Sequence, residues 1–550
     1  MKNLAFFTCC ILFIACKQTP VAPNFDWQAY DETERLAKSQ EHESGRMQFK
    51  LYQSKVLNHQ AMWNNILLQL DGFGDEEYYN LHPLIYERSI PEIQSSISSD
   101  KLNYEQLTKW YLHRILKFET DSLLSLNAII SINPKAVAEA KQCDKDKKNE
   151  HPIYGMPVLL KDNIGTNHMK TTAGAYALKD NMTDAAFISN QITSKGGIIL
   201  AKVNLSEWAY YFCTGCPLGY SAIGGQSLNP YGSGVFETGG SSAGSGISMA
   251  ANYGAVAVGT ETSGSILSPS SQNSLVGLKP TIGLLSRSGI VPISSTLDTP
   301  GPMTKNVVDN AILLSAMVGK DSKDAATAKA PSDIDYLNDL QNANFDQLRF
   351  GVIKNFLEDS IYNLTVEKIS NTSATTIEFT PGEISFPGFI TFLNGDMIRD
   401  LPEYMEDYAS ANTSLRTIKD IVEYNLEDTL IRAPYGQQLF EGMANDTTSE
   451  EEFLNLKSDY KEKAVAFFEE AFEENKLDAI LSINNYSAGQ AAMAQYPCLT
   501  VPMGYRENGE PRNLTFIARP FEEHKLLKMA AAFEKEFDIR KPPTKYNDAK

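Results

Sequence analysis

The stretch from Thr238 to Pro280 constrains this chain more than any other. It reads Thr-Gly-Gly-Ser-Ser-Ala-Gly-Ser-Gly, then an alanine-rich run, then Val-Gly-Thr-Glu-Thr-Ser-Gly-Ser-Ile, and closes on Gly-Leu-Lys-Pro. Glycines beside serines open backbone angles closed to other residues and let the main chain approach a ligand closely. They also free main-chain N–H groups to face an anion. Between the two loops, residues 247–253 read as a short helix of small residues, and 255–259 as a buried strand. Two Gly-Ser loops at the ends of one helix–strand unit can bring two serines together, which is the layout of a reactive site.

Around this stretch, apolar runs alternate with helical patterns. Residues 126–132, 153–160 and 196–203 read as buried strands, with a helix opening at Pro134, so residues 126–320 point to an α/β domain with a mixed or parallel sheet. Residues 30–70 carry apolar side chains at helical spacing and read as a helical preface; 90–117 repeat the pattern. From 321 to 470 the chain turns acidic and aromatic, with Phe386, Phe389, Tyr404, Tyr408 and Tyr435. This segment reads as helices and loops laid over the core, either a wall of a substrate pocket or surface elaboration, which the sequence does not separate. Residues 460–474 predict an amphipathic helix, 477–483, 497–502 and 514–518 strands that return to the core, and 523–537 a closing helix.

The start of the chain reads separately. Met1-Lys2-Asn3 and a short apolar run to Ala15 have the pattern of an export signal, too short to span a bilayer. Phe13-Ile14-Ala15-Cys16 resembles a bacterial lipobox, so the expectation is a lipid on Cys16 and an exported, membrane-anchored protein of the bacterial cell envelope. The organisation expected is thus a signal over 1–15, a tether and helical extension over 16–89, and the main domain over 90–545. A formal charge of −19 over 550 residues argues against a nucleic-acid partner, whose phosphates would be repelled. Cys213 and Cys216 form a C-x-x-C without a second ligand pair, and are expected as small loop residues.

Several chemistries compete for the serines. Gly240-Ser-Ser242-Ala-Gly244 fits G-x-S-x-G, but that elbow needs a strand immediately before the serine, and 231–238 is a glycine-broken loop. It also needs a histidine; after Ser242 there is only His524, on the last helix. No Gly-Lys-Ser/Thr follows the glycines, no H-E-x-x-H occurs, and no convincing cluster of metal ligands is visible. What remains is serine chemistry whose base is a lysine. Lys161 closes the apolar run Met156-Pro-Val-Leu-Leu; a buried lysine there loses hydration and its pKa falls, but this segment alone fits a lysine snorkelling from a strand end better.

Gly239-Gly-Ser-Ser-Ala-Gly-Ser, Gly259-Thr-Glu-Thr-Ser-Gly-Ser265-Ile and Val276-Gly-Leu-Lys-Pro280 together resemble the amidase signature family. Gly155-Met-Pro-Val-Leu-Leu-Lys161-Asp-Asn upstream and Pro497-Cys-Leu-Thr-Val-Pro-Met-Gly downstream fit too, as does Asp298-Thr-Pro-Gly-Pro, and the resemblance covers residues 90–540 in order. It implies a central mixed sheet covered by helices on both faces, and amide hydrolysis without metal or cofactor. It further implies a Ser–cis-Ser–Lys triad: Ser265 as nucleophile, Ser241 as bridging serine on a cis peptide, and Lys161 as base. The backbone N–H groups of Thr262, Ser263, Gly264 and Ser265 would form the oxyanion hole, and Ser242 would support with a hydrogen bond. One departure stands out: Leu267 occupies a position where many relatives carry arginine.

The expected partner is a small-molecule or peptide amide, with the C-terminal amide of a peptide as a specific case. The same acyl-enzyme also permits ester or acyl-transfer chemistry, and the non-enzymatic alternative is a lipoprotein that keeps the fold to bind an amide. The family also contains the glutamine-cleaving subunit that works on mischarged transfer RNA, which the export signal argues against.

Overall fold

A computed structural model describes residues 25–148 and 150–548. Thirteen strands form in chain order: β1 Ile129–Ile132, β2 Pro157–Lys161, β3 Ile198–Val203, β4 Tyr220–Ser221, β5 Gly225–Gln226, β6 Val256–Glu261, β7 Val276–Lys279, β8 Thr299–Thr304, β9 Arg349–Ile353, β10 Thr375–Phe379, β11 Ala479–Ile483, β12 Cys498–Tyr505 and β13 Pro511–Ile517. Eleven of them build one sheet in the order β1-β3-β2-β6-β8-β7-β12-β13-β11-β9-β10, while β4 and β5 pair by themselves. The sheet is mixed and flanked by helices. Strands β3, β2 and β6 run parallel, as do β11, β9 and β10, and the strands between them pair antiparallel.

Burial on both faces explains the uninterrupted apolar runs. Every residue of β2, β3 and β6 is buried, so no alternation of polar side chains is needed. The helix Ala243–Ala250, wholly buried, lies against β6 and begins directly after Ser242, four residues earlier than the residue pattern predicts. Its glycines serve close packing. A Cβ on Gly244 would meet the backbone O and N of Asn204 at 2.2 and 2.4 Å, and one on Gly246 the carbonyl of Pro269 at 2.9 Å.

The preface resolves into helices Thr33–Ser39, His59–Leu70 and Asp75–Ile85. Trp63, Ile66 and Tyr78 enter the same apolar core as the sheet. The chain is already fastened at its first described residues: Phe25 O accepts from Gln60 Nε2 at 2.6 Å, and Trp27 stacks on His59. At the other end, Asp548 meets Arg114 Nη1 at 2.8 Å and Lys117 Nζ at 2.6 Å, and Arg114 also donates to Tyr546 O. The first described residues are thus held by the helix His59–Leu70 and the last by the helix Tyr104–Glu119.

Residues 321–470 differ from expectation in part. The helices Phe389–Asp407, Ile418–Leu426 and Gln438–Ala444 do form a layer with its own apolar cluster. Residues 349–379, however, form a β-α-β unit that adds β9 and β10 to the sheet edge. Cys213 and Cys216 are joined in a disulfide rather than standing as separate loop residues. The export signal and Cys16 lie outside the described residues. Among the described residues, no helix is long and apolar enough to cross a membrane.

Candidate active site

The candidate residues converge at the carboxyl ends of β2 and β6, two neighbouring parallel strands, where open α/β sheets commonly place their sites. Lys161 is the last residue of β2 and is fully buried. Its Nζ lies 2.7 Å from Ser241 Oγ, 2.8 Å from Thr260 Oγ1 and 3.1 Å from Thr260 O. Burial pulls its pKa down to about 7, against the opposing pull of Asp298 and Glu261. An amine that would be an ammonium in water is therefore poised to be neutral near pH 7.

Ser241 follows a cis peptide bond with Gly240. Its carbonyl accepts from Ser206 N at 3.0 Å, and the Ser206 hydroxyl in turn accepts from Gly219 N at 2.9 Å, so neighbouring backbone fixes the loop. Ser242 Oγ donates to Thr260 O at 3.0 Å and accepts from Thr260 N at 3.2 Å. It joins the serine loop to β6, whereas its own N–H donates to Ser265 O at 3.2 Å and ties the first loop to the second.

Ser265 is half-buried, and among the described residues its hydroxyl makes no hydrogen bond to protein. The structure thus brings Lys161 and Ser241 into direct contact and links Ser265 to them through backbone. Gly264, before it, has φ +90, a left-handed conformation that disfavours a side chain. Among the described residues, the N–H groups of Thr262, Ser263, Gly264 and Ser265 donate to no protein acceptor, which leaves four main-chain donors in succession.

Other groups complete the site. Thr260 Oγ1 also accepts from Asn163 Nδ2 at 3.0 Å, so it holds Lys161 and Asn163 together. The Thr262 hydroxyl donates to Asp298 Oδ1, and the other oxygen of Asp298 accepts from Ile293 N and Ser294 N. Burial raises the Asp298 pKa despite those donors. Glu261 Oε2 accepts from Ile266 N at 2.7 Å and Leu267 N at 3.0 Å, which pins the turn after Ser265. With leucine at 267, that carboxylate is anchored by backbone donors. Thr260, Asn163, Asp298 and Glu261 were all within the quoted motifs, but residue type alone does not reveal their contacts. His524 is half-buried on the last helix, away from these contacts.

A cavity of about 500 Å³ opens beside the site, reaching it through Asn163, Thr260 and Thr262. Tyr404 and Tyr408, from the 321–470 segment, line it. The other aromatics named there pack elsewhere: Phe386 and Phe389 around Tyr460 and Phe392, and Tyr435 on Tyr220. Among the described residues there is no cluster of three side chains able to hold a metal ion.

The fold is shared with a class of hydrolases that act on amide C–N bonds. The chain belongs to the amidase family: the family's sequence model, Amidase, matches residues 106–483. It is 36% identical over 480 residues to a protein named as a probable amidase in Arabidopsis thaliana, covering 84% of this chain and 92% of the relative. The structure of an amidase family protein from Bacillus anthracis superposes with a TM-score of 0.85 at 34% identity, over 90% of this chain and 99% of that one. Native peptide amidase from Stenotrophomonas maltophilia gives 0.78 at 32% identity, over 83% and 98%. The fold and enzyme class expected from sequence are borne out, and a purely ligand-binding protein is not what these relatives describe.

The comparisons overturn the expected location. Alongside the plant protein, the relatives include fungal proteins named as amidases and A subunits of glutamyl-tRNA(Gln) amidotransferase, and none carries the name of an exported or lipid-anchored protein. The cell-envelope assignment and the lipid anchor are withdrawn. The physical reason is that a short, mostly apolar run behind one lysine is a matter of composition, which a short terminal segment can have without being an address. The objection to the amidotransferase subunit on grounds of export falls with it.

Proposed function

We propose that the protein hydrolyses carboxylic amides through an acyl-enzyme on Ser265, with Ser241 relaying protons to Lys161. Neutral Lys161 takes the proton of Ser241 as Ser241 takes that of Ser265, and Ser265 Oγ bonds to the amide carbonyl carbon. The carbonyl oxygen gains negative charge against the N–H groups from Thr262 to Ser265; each such donor is worth about 100- to 1,000-fold in rate. The relay then runs backwards: the proton reaches the departing nitrogen, the C–N bond breaks, and ammonia or an amine leaves. Water, deprotonated by the same relay, attacks the ester and restores the serine. Ser242 supports the arrangement by joining the serine loop to β6.

One observation carries this reading: a fully buried lysine, its pKa drawn down to about 7, sits 2.7 Å from a serine hydroxyl. Lys161 meets a hydroxyl, a second hydroxyl and a carbonyl, and the serine hydroxyl is the contact that a proton relay requires. The free Ser265 hydroxyl is compatible with the relay, since catalytic hydrogen bonds often tighten only when substrate binds. The likeness to peptide amidase makes peptide C-terminal amides the first substrates to try.

The test is ammonia release from a panel of simple and peptide amides, run beside Lys161→Ala and Ser265→Ala, with a fluorophosphonate to trap an activated serine. Release that vanishes in both variants, with the label on Ser265, is the expected result. Label on another residue, or undiminished release from Ser265→Ala, would refute the assignment.

A further inference from the structure

The cavity beside the site carries more acidic than basic side chains. Its two cations are both engaged: Arg287 is fastened to Asp324, with Nε to Oδ2 at 2.8 Å, and Lys323 Nζ lies 5.6 Å from the Tyr408 ring centroid. Against them stand Asp298, Asp400, Glu403 and Asp407, and among the described residues none of these four carboxylates is in an ion pair. Three of them come from one helix, Phe389–Asp407, at spacings of three and four residues that put them on one face. Asp400 is pushed up to about 7 chiefly by burial, with Asp396 and Asp298 adding to the rise against the hydrogen bonds from Ser295.

A second observation, independent of the acids, points to a ligand. Asn163 is 2% exposed and lines the cavity; its Nδ2 is held by Thr260, but its Oδ1 is buried and has no hydrogen-bond partner. A buried acceptor left unmade costs about 1–3 kcal/mol, and a donor arriving in the cavity relieves it. Asn163 lines the same cavity as Thr260 and Thr262, and three of the four carboxylates lie along the wall contributed by the 389–407 helix.

We infer that this cavity selects amides bearing a cation: an ammonium or guanidinium faces Asp400, Glu403 and Asp407 while Asn163 accepts an N–H next to the scissile bond. The inference rests on the amidase reading for where the reacting carbon lies, but its charge preference can be measured without turnover. A cation in a cleft with an excess of acidic groups gains from the summed field, and the gain falls with salt.

The experiment compares N-acetyl-lysine amide with its uncharged counterpart N-acetyl-norleucine amide and with N-acetyl-glutamate amide, as kcat/KM at low and high sodium chloride. In parallel, calorimetry measures binding of the same three amides to Ser265→Ala. The expected order is lysine over norleucine by about tenfold and glutamate last, with the ratio shrinking in salt. In Glu403→Gln/Asp407→Asn the lysine-to-norleucine ratio should collapse to within about twofold of one. Asn163→Asp, which places a charge where the inference wants a neutral acceptor, should instead raise KM for all three. Turnover without a preference for the lysine amide, or a preference that the double variant keeps, overturns the inference and leaves the hydrolase reading standing. Binding preference without turnover of any amide does the reverse. No detectable binding of the lysine amide at millimolar concentration also overturns it.

Discussion

Replacing Lys161 by methionine should give a stability change whose dependence on pH reports the buried amine directly. An unfolded lysine holds its proton to about 10.5, whereas Lys161 in the folded chain holds it only to about 7. Between those values the unfolded state binds more protons, so folding grows more favourable as pH rises through the window. Below 7 the folded protein carries the full penalty of a buried charge. At about 1.4 kcal/mol per pH unit, that penalty is roughly 5 kcal/mol at pH 6, about 2 kcal/mol at pH 9 and close to zero at pH 11. Methionine carries no such charge. It forfeits the hydrogen bonds to Ser241 and Thr260, about 1 kcal/mol each, but that loss does not vary across the window. The difference in unfolding free energy, variant minus wild type, should therefore fall by about 3 kcal/mol from pH 6 to pH 9. Urea unfolding of both proteins at a series of pH values measures it, with amide turnover followed in the same samples. Two parallel curves would mean that Lys161 titrates normally in the folded protein, and the proposed base would lose its physical footing.

The wild-type pH–rate profile should rise through about pH 7 as Lys161 loses its proton; a rate that falls as pH rises from 6 to 8 would contradict a neutral-lysine base. Thr260→Val removes an acceptor from Lys161 and from Asn163 together, and should lower kcat about tenfold with a small change in KM, read by steady-state kinetics. Ser242→Ala unties the serine loop from β6 and should lower kcat by a similar factor while fluorophosphonate labelling of Ser265 slows in proportion; unchanged labelling would assign Ser242 no part. Gly244→Ala should not fold, because its Cβ would strike the backbone of Asn204, and circular dichroism with soluble yield would show it.

The parts legible in sequence are those whose physics is local. Continuous apolar runs marked β1, β2, β3, β11 and β12, because strands buried on both faces have no polar positions to interrupt them. β8 escaped notice because Thr-Pro-Gly-Pro-Met-Thr carries two prolines, yet it pairs with both β6 and β7 in the middle of the sheet. β9 and β10 are five residues each inside an acidic stretch, and β10 is an edge strand that stays partly exposed, so its apolar signal is diluted. The start of the helix at Ala243 was hidden by glycines, whose usual meaning in a loop is reversed here by tertiary contact with Asn204 and Pro269. In the site, Lys161, Ser241 and Ser265 stood out by motif. The grip of Thr260 on Lys161, the orphan oxygen of Asn163 and the acidic wall depend on contacts between residues up to hundreds apart, which spacing does not encode.

The division of labour along the chain has a consequence for how such an enzyme diversifies. Lys161, Ser241 and Ser265 all fall between the start of β2 and the turn after β6, inside the most deeply buried part of the sheet. Asp400, Glu403, Asp407, Tyr404 and Tyr408 come from a later helix layer with an apolar cluster of its own. On the proposed reading, reactivity is written in the earlier passage of the gene and much of selectivity in the later one. Recombination that exchanges the later passage can retarget the enzyme while inheriting the reactive centre whole, so the 389–445 segment is the natural unit to swap between relatives.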